Sequence, residues 1–396
     1  MIRFLLIGCL AVSAGAQPWT RHTIDDTSHG ADGVRLADVD GDGFLDIATG
    51  WEQAGEVRIY RNPGPARAKH PWRRVTVGRV RSPEDAVLVD LDGDGIYEVV
   101  SSCEGRERTI FLHWLRGGGK DYWQPEGWVT APVEPSRGAM QWMFTAPAEI
   151  GPPEGLELFA GAKGEGARIG WFQIPSDPRR TGGWLWRPLR PAGWVMSLIP
   201  SDMDGDGDPD LLFSDRKGAR TGVYWLENPG AGRAGDWREH LVGGAGREVM
   251  FLDLADLDGD GFEDVLAAVR PREIHWFRRR DRSGRRWEPS VIRIPPAAGT
   301  AKAVKAADLD GDGRMEIVFS CERAFGDLEG VMYLFYAGSG NRLGAEGWEA
   351  RSISGPEGVK FDLVEVLDLD GDGDPDVLTC EEQADLGVVW YENPRR

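Results

Sequence analysis

The sequence has 396 residues and a formal net charge of −19, from 46 Lys and Arg against 65 Asp and Glu. A charge of this sign argues against nucleic acid or an anionic membrane surface as the partner. The 25 prolines and 54 glycines are spread along the whole chain. That distribution is typical of many short strands joined by tight turns, and it excludes a low-complexity protein.

The first 16 residues are predicted to be a secretory signal peptide. Arg3 precedes an apolar run at residues 4–12, and residues 14–16 (AGA) form an A-x-A cleavage site before Gln17. We therefore predict a secreted or periplasmic protein in which residues 17–396 form one domain. The alternative is a lipoprotein with Cys9 lipidated, because residues 6–9 resemble a lipoprotein processing box. No later segment approaches the roughly 18 apolar residues of a membrane span.

The rest of the chain is organised by a repeated acidic loop with the pattern D-x-D-G-D-G-x-x-[DE]. Intact copies begin at Asp38, Asp90, Asp202, Asp256, Asp308 and Asp368. A degenerate copy at residues 149–157 lies in the double gap between the second and third intact copies. It keeps Glu149 and Glu157 but has lost the middle aspartates. Seven units with a period of about 50 residues indicate a solenoid, a propeller or an array.

Each unit contains four short apolar runs, which predict four β-strands. The third run of each unit begins at Val57, Ile110, Ile169, Val223, Ile274, Val331 and Val388. The fourth run is marked by a tryptophan, at Trp19, Trp72, Trp128, Trp186, Trp237, Trp287 and Trp348. Such regularly placed aromatic side chains favour packing between blades over ligand stacking. Four strands in each of seven units predict an all-β fold, a seven-bladed β-propeller with four-stranded blades.

The order of the strands predicts how the ring closes. The predicted mature chain starts with a fourth-type strand after Trp19 and stops just after a third-type strand at residues 388–391. The last blade is complete only if the N-terminal strand joins it. We therefore predict that this strand closes the ring and leaves no open sheet edge.

These repeats resemble the FG-GAP or VCBS-type repeats of β-propellers, and the chain is similar to the calcium-binding propeller at the head of integrin α subunits. The resemblance covers the whole predicted mature chain. It implies the propeller fold and carries little information about activity, because function depends on the site and not on the fold.

The six intact loops are predicted to bind divalent cations. Hard cations such as Ca²⁺ take six to eight oxygen ligands, and alternate acids in a glycine-rich turn can point inward together. The predicted carboxylate ligands are Asp38, Asp40, Asp42 and Asp46; Asp90, Asp92, Asp94 and Glu98; Asp202, Asp204, Asp206 and Asp210; Asp256, Asp258, Asp260 and Asp264; Asp308, Asp310, Asp312 and Glu316; and Asp368, Asp370, Asp372 and Asp376. We predict up to six structural Ca²⁺ ions.

An EF-hand begins with the same pattern but needs a bidentate glutamate at its twelfth position. The twelfth positions here are Thr49, Ser101, Phe213, Ala267, Phe319 and Thr379. All-oxygen ligation also disfavours zinc and copper. The alternative is that the aspartates only form turns. It is disfavoured because four converging carboxylates without a cation would repel one another.

Three cysteines remain after signal cleavage: Cys103, Cys321 and Cys380. An odd number excludes a disulfide framework. Each ends an apolar strand, so we interpret them as small buried hydrophobic residues and not as nucleophiles or metal ligands.

The face opposite the acidic loops is the predicted ligand face. Charged residues at the starts of the innermost strands are expected to converge on the axial funnel, where ligands are commonly held. The candidates for acid–base chemistry are Lys302, Lys305, His29, Lys360, Glu84 and Asp85, and Arg247, Glu248 and Asp362 extend the mixed lining. A solvated rim of surface ion pairs is the competing interpretation.

We predict that the protein is a secreted, calcium-stabilised binding module for a carbohydrate or a protein, and we expect a monomer. The alternative is an enzyme with an acid–base site in the funnel. Similar propellers occur among polysaccharide lyases and in aldos-2-ulose dehydratase, which implies a carbon–oxygen lyase acting on sugars. No nucleophile elbow, zinc-binding helix motif or nucleotide-type glycine loop is present.

Overall fold

The structure is a computed structural model, and it describes residues 17–151, 155–230, 237–338 and 343–394. The predicted signal peptide, including Cys9, lies outside the described residues. So does part of the degenerate loop, at residues 152–154. Among the described residues, no helix is long and apolar enough to cross a membrane.

The described residues form 28 strands in seven antiparallel four-stranded sheets. In chain order, β1 is Thr20–Asp25; β2 to β5 are Ala31–Ala37, Asp46–Trp51, Glu56–Arg61 and Arg73–Arg79; β6 to β9 are Pro83–Val89, Glu98–Cys103, Ile110–Leu115 and Trp128–Pro132; β10 to β13 are Gln141–Ala148, Glu157–Lys163, Arg168–Gln173 and Leu185–Pro191; β14 to β17 are Val195–Ser201, Asp210–Asp215, Gly222–Glu227 and Arg238–Gly243; β18 to β21 are Val249–Ala255, Asp264–Val269, Glu273–Arg279 and Trp287–Arg293; β22 to β25 are Thr300–Ala307, Glu316–Glu322, Val331–Tyr336 and Trp348–Ser352; and β26 to β28 are Phe361–Leu367, Asp376–Glu381 and Gly387–Glu392. Short 3₁₀ turns lie at Pro65–Arg67, Arg116–Gly118, Pro125–Gly127, Glu134–Ser136 and Thr181–Gly183.

The sheets are the seven blades of a β-propeller, so the predicted fold class is confirmed. Blades 1 to 6 are β2–β5, β6–β9, β10–β13, β14–β17, β18–β21 and β22–β25, and blade 7 is β26–β28 with β1. The first strand of each blade contacts the first strand of the next blade, and the fourth strand lies outermost. The apolar core lies between neighbouring blades, which approach one another closely. At Gly50, for example, a Cβ atom would lie 2.4 Å from the carbonyl oxygen of Pro83 in the next blade.

The N-terminal strand closes the ring as predicted. β1 pairs antiparallel with β28, and the seventh sheet has the order β1-β28-β27-β26. The imidazole of His22 stacks on Trp390 with ring centroids 4.4 Å apart, and it bonds the carboxylate of Glu392. A buried ion pair also joins Asp25 of β1 to Arg58 of blade 1, across the boundary between the two blades.

The repeated tryptophans hold the turns between the third and fourth strands. The indole N–H of Trp72 donates to Ala68, that of Trp287 to Gly284 and that of Trp348 to Gly344, each over 2.7–3.0 Å to a backbone oxygen. In blade 3 this bond is made by Trp184, two residues before Trp186. These bonds and the burial of Trp72 and Trp184 agree with a structural role.

Every innermost strand contains an irregularity that the sequence did not reveal. The register of the first two strands of each blade shifts near the start of the inner strand. The residue in the bulge is Glu84 in blade 2, Met143 in blade 3, Met196 in blade 4 and Lys302 in blade 6. A bulge re-aims side chains locally, so these positions decide what faces the axis.

Candidate functional site

The first aspartate of each acidic loop organises the turn. Asp38 accepts the backbone N–H groups of Gly41, Asp42 and Gly43 over 2.8–3.1 Å. Gly41 and Gly43 have φ of 74° and 88°, values that favour glycine. The same bonding recurs at Asp90, Asp202, Asp256, Asp308 and Asp368. The first aspartate of each loop therefore does form the turn, which is the role that the sequence suggested as the alternative to cation binding.

The last acid of each loop joins the two turns at one end of its blade. Asp46 is fully buried, and it accepts the N–H of Val39 in its own loop and that of Asn62 after the third strand. Burial, reinforced by the other loop carboxylates, raises the pKa of Asp46 to about 7. The corresponding acids Glu98, Asp210, Asp264, Glu316 and Asp376 have pKa values raised to about 6 or 7, also chiefly by burial.

The degenerate loop explains why a closing acid survives there. Glu157 accepts the N–H of Ile174 over 2.9 Å, which is the bond that Asp46 makes to Asn62. The closing acid thus holds the blade together independently of the middle aspartates. Those aspartates can be lost without removing this connection.

Replacing Asp264 with alanine is expected to destabilise blade 5. Its carboxylate accepts the indole N–H of Trp276 over 2.7 Å and the backbone N–H of Arg279 over 2.8 Å. Two buried donors left without a partner cost about 3 kcal/mol. We expect the melting temperature in chelator to fall by about 4 °C, and the exposed loop acid Asp260→Ala is the matched control. Equal melting of the two variants would contradict the role of Asp264.

The middle aspartates fit a hard divalent cation. In the loops starting at Asp38, Asp90 and Asp202, one carboxylate oxygen from each of the first three acids lies within 4.8 Å of the others. The Oδ1 atoms of Asp40, Asp258 and Asp370 are buried and have no hydrogen-bond partner. Buried carboxylate oxygens without a partner are costly, and a cation with oxygen ligands would satisfy them.

Basic side chains already contact four of these loops. Arg61 bonds Asp40 over 3.0 Å within blade 1, and Arg278 and Arg280 approach Asp258 and Asp260 within blade 5. Two further contacts cross a blade boundary. Lys69 of blade 1 bonds Asp370 of blade 7, and Arg179 of blade 3 bonds Asp94 and Glu98 of blade 2.

A charged cavity of about 340 Å³ opens at the opposite end of the axis from the acidic loops. It is built from the starts of the inner strands and the ends of the second strands, and all seven blades contribute to it. Its cationic lining residues are Lys163, Arg216, Arg270, Lys302, Arg323 and Lys360. Its acidic lining residues are Asp32, Glu52, Glu84, Glu104 and Glu322. Trp194 forms part of the wall, with Lys163 and Arg216 over its ring at 4.5 and 4.4 Å.

The lysines of this cavity are held as cations by neighbouring acids. Lys302 forms an ion pair with Asp362, Lys360 with Glu382, and Lys163 with Glu104. Burial alone would lower the pKa of Lys302, but the carboxylates of Asp362 and Asp32 outweigh it and raise the pKa. A general base needs a pKa near the working pH, so Lys302 is a fixed positive charge.

The acids of the cavity differ in protonation. Burial, together with the neighbouring Glu52, raises the pKa of Glu84 to about 7. Burial and the charge of Asp362 raise the pKa of Asp32, while the ion pair with Lys302 overcomes the effect of burial and lowers that of Asp362 to about 2. Asp32 and Asp362 share a hydrogen bond. Glu84 is thus a lining acid with a pKa near neutral pH, and burial together with Glu382 also raises the pKa of Glu52.

The other predicted funnel residues lie elsewhere. Lys305 lines a second cavity of about 400 Å³ at the acidic-loop end, where it bonds Asp253 and Glu365. Asp85 is fully buried and bonds Arg35 over 2.9 Å. His29 and Arg247 are exposed at the rim, paired with Asp385 and Glu273. Of the six acid–base candidates, the structure brings together Lys302, Lys360 and Glu84.

Three methionines near the axis were not among the predicted site residues. Of these, Met196 lines the charged cavity, and Met143 and Met250 lie at the irregular starts of two other inner strands in the same buried apolar core. Their signal was a methionine directly after Trp142, Val195 and Val249. The three cysteines are free and buried, and burial raises the pKa of each thiol. This agrees with their interpretation as small hydrophobic residues.

These features define a seven-bladed β-propeller whose blades carry acidic turn loops. The family model for the FG-GAP-like repeat matches residues 38–101, 202–267 and 256–319. The chain is therefore a seven-bladed β-propeller that contains FG-GAP-like repeats. A search of curated proteins finds no match.

Solved structures share the fold at low sequence identity. Two crystal structures of BBS1N in complex with ARL6DN, one soaked with mercury and one with lead, superpose with a TM-score of 0.55 at 9% identity. The matches cover 96% and 94% of this chain, and 97% and 98% of the BBS1N chains. At this identity the likeness demonstrates the fold alone.

Proposed function

We propose that this protein is an exported, calcium-stabilised β-propeller that binds a carbohydrate or a protein ligand in the charged cavity. The observation that carries the binding proposal is the cavity itself, a concave site of about 340 Å³ lined by side chains from all seven blades. Pockets of this size, with a few convergent polar groups, commonly hold ligands. The charged lining suits a polar, ionic ligand.

The calcium part of the proposal rests on the middle aspartates. Their unpartnered buried oxygens and the clustered carboxylates of the loops suit an ion with oxygen ligands. A bound cation would connect the first and second strands of each blade at the turn. The proposed ions would lie in the turns of the blades, at the opposite end of the axis from the charged cavity, and would have a structural role.

Two observations favour binding over catalysis. The lysines of the cavity are paired with acids, and the cysteine thiols are buried with raised pKa values. Neither set therefore supplies an activated base or nucleophile. The BBS1N propeller is solved in complex with ARL6DN, which supports a protein ligand as one form of the proposal.

A lyase or dehydratase acting on acidic sugars is the second candidate. The observation that favours it is Glu84, whose pKa of about 7 matches a general acid or base at neutral pH. Lys302 and Arg323 would then neutralise the carboxylate of the sugar. In this version of the function, Glu84 alone exchanges the proton.

Both candidate functions, the binding module and the lyase or dehydratase, can be tested by measuring how the purified protein binds uronic-acid polymers and the sugars of a glycan array. We expect Arg323→Glu to weaken binding of an anionic ligand about tenfold, because it reverses a positive charge, and Glu84→Gln to strengthen binding, because it removes a negative charge. Arg238→Glu, on the exposed outer strand β17, is the control and should bind like the natural chain. Unsaturated products that disappear in Glu84→Gln would identify an enzyme, and binding without product would identify a binding module. Equal binding by all three variants would contradict the cavity as the site.

A further inference from the structure

We propose that Lys69 and Arg179 are resident counter-ions of two acidic loops, so that the six loops do not bind calcium equally. Each side chain comes from the adjacent blade and contacts a loop acid. The inference rests on the proposed cation binding, and it names two residues of this chain that lower the calcium affinity of particular loops from a neighbouring blade. The loops concerned are those of blade 7, starting at Asp368, and of blade 2, starting at Asp90.

Lys69 bridges the boundary at which the ring closes. Its Nζ lies 2.9 Å from Asp370 Oδ2 and 2.9 Å from Glu392 Oε1. Glu392 in turn bonds His22 of the closing strand over 2.8 Å. Asp370 is itself almost buried, with 6% of its side chain exposed, and its other oxygen has no hydrogen-bond partner. The ammonium thus neutralises the carboxylate of Asp370 through one oxygen, while the second oxygen has no hydrogen-bond donor.

Arg179 enters the loop of blade 2 in a comparable way. Its Nη2 lies 3.4 Å from Asp94 Oδ2 and 3.3 Å from Glu98 Oε1, and the Glu98 side chain is fully buried. The Nε of Arg179 is buried without a partner, so the guanidinium is only partly satisfied. Because the Arg179 guanidinium is only partly hydrogen-bonded, it competes weakly with a calcium ion for the carboxylates of this loop.

Both basic groups can leave their loops at small cost. The Lys69 side chain is 44% exposed and that of Arg179 30% exposed, so each basic group can move into solvent when a cation takes its place, and water screens the cationic end of each pair. A divalent cation carries twice the charge and takes several oxygen ligands at once. Calcium therefore displaces the resident basic group. The free energy of the ion pair that is lost reduces the free energy of calcium binding at that loop.

A calcium titration of the full chain, freed of metal with chelator and then desalted, tests the proposal. We expect Lys69→Gln and Arg179→Gln each to tighten one site about fivefold, the equilibrium equivalent of an exposed ion pair. The matched controls are Arg67→Gln and Arg180→Gln. Both remove the same charge nearby, from exposed side chains for which the described residues provide no ion pair.

Melting in chelator separates this role from a purely structural one. Removal of a resident counter-ion should lower the melting temperature of the metal-free chain while calcium binding becomes tighter, and the controls should change neither. Affinities of the two variants that equal those of their controls would overturn the inference and leave calcium binding intact. Absence of any calcium binding would overturn the proposed stabilisation together with the inference.

Discussion

A chain that starts at Asp26 instead of Gln17 is expected to have a melting temperature about 10 °C lower. Its unfolding should no longer occur in one cooperative transition. The truncation removes β1, which supplies the fourth strand of blade 7, and it exposes the edge of β28. It also removes Asp25, whose carboxylate accepts hydrogen bonds from Arg58 over 2.6 Å and from Tyr60 over 3.0 Å. A buried ion pair that loses one partner costs about 3–5 kcal/mol.

The point variant Asp25→Asn isolates the buried charge from the strand. Burial alone would raise the pKa of Asp25, but Thr27 and Arg58 outweigh it and lower the pKa below its ordinary 3.8. A carboxyl with a lowered folded pKa stabilises the fold above its unfolded pKa, and this contribution is lost as the pH falls through the folded value. The natural chain should therefore lose this stability in acid, and Asp25→Asn should lack it at neutral pH.

The control for this variant is Asp26→Asn, since Asp26 is exposed. Its melting curve should follow that of the natural chain at every pH. If the truncated chain melted like the natural one, β1 would not close the ring, and the blade order would lose its energetic meaning.

The sequence predicted the fold well because the repeat is local. A loop pattern recurring seven times marks the turn between the first and second strands, and short β-branched runs mark the strands around it. The closing strand was predicted from the order of strand types. The described strands begin with a fourth-type strand and end with a third-type strand, so the last blade has four strands only when the first strand joins it. None of these steps needed knowledge of contacts between distant residues.

The funnel was predicted less completely because the bulges depend on tertiary packing. Lys302 and Lys305 are three residues apart on β22, yet they line cavities at opposite ends of the axis. The register shift at Lys302 aims it towards the charged cavity. Because side chains alternate along a strand, one extra residue changes the face of its neighbours. No pattern in the sequence identifies which residue is in the bulge.

The contacts across blade boundaries were also beyond the sequence. Lys69 lies about 300 residues before Asp370, and Arg179 contacts Asp94, which lies 85 residues earlier in a different blade. In the sequence these residues look like solvated charges in turns. Their proximity to the loops follows from ring closure and blade packing, which only the folded chain supplies.

The two ends of the propeller axis differ in their residues and in their proposed roles. The acidic loops hold turns together, through the backbone bonds of the first and last acids and, as we propose, through cations on the middle ones. The charged cavity at the other end is formed by residues that differ from blade to blade. The repeated residues therefore belong to the turns of the blades, and the residues that vary among the blades line the proposed ligand site.

The most direct test of the proposed frame is the melting temperature in calcium and in chelator. Each site held at 100 times its dissociation constant adds about 2.7 kcal/mol to stability, so several occupied loops should raise the melting temperature by about 15 °C. Magnesium, which demands a stricter octahedral site, is the control ion and should give a smaller rise. A melting temperature that is the same in calcium and in chelator would contradict the account.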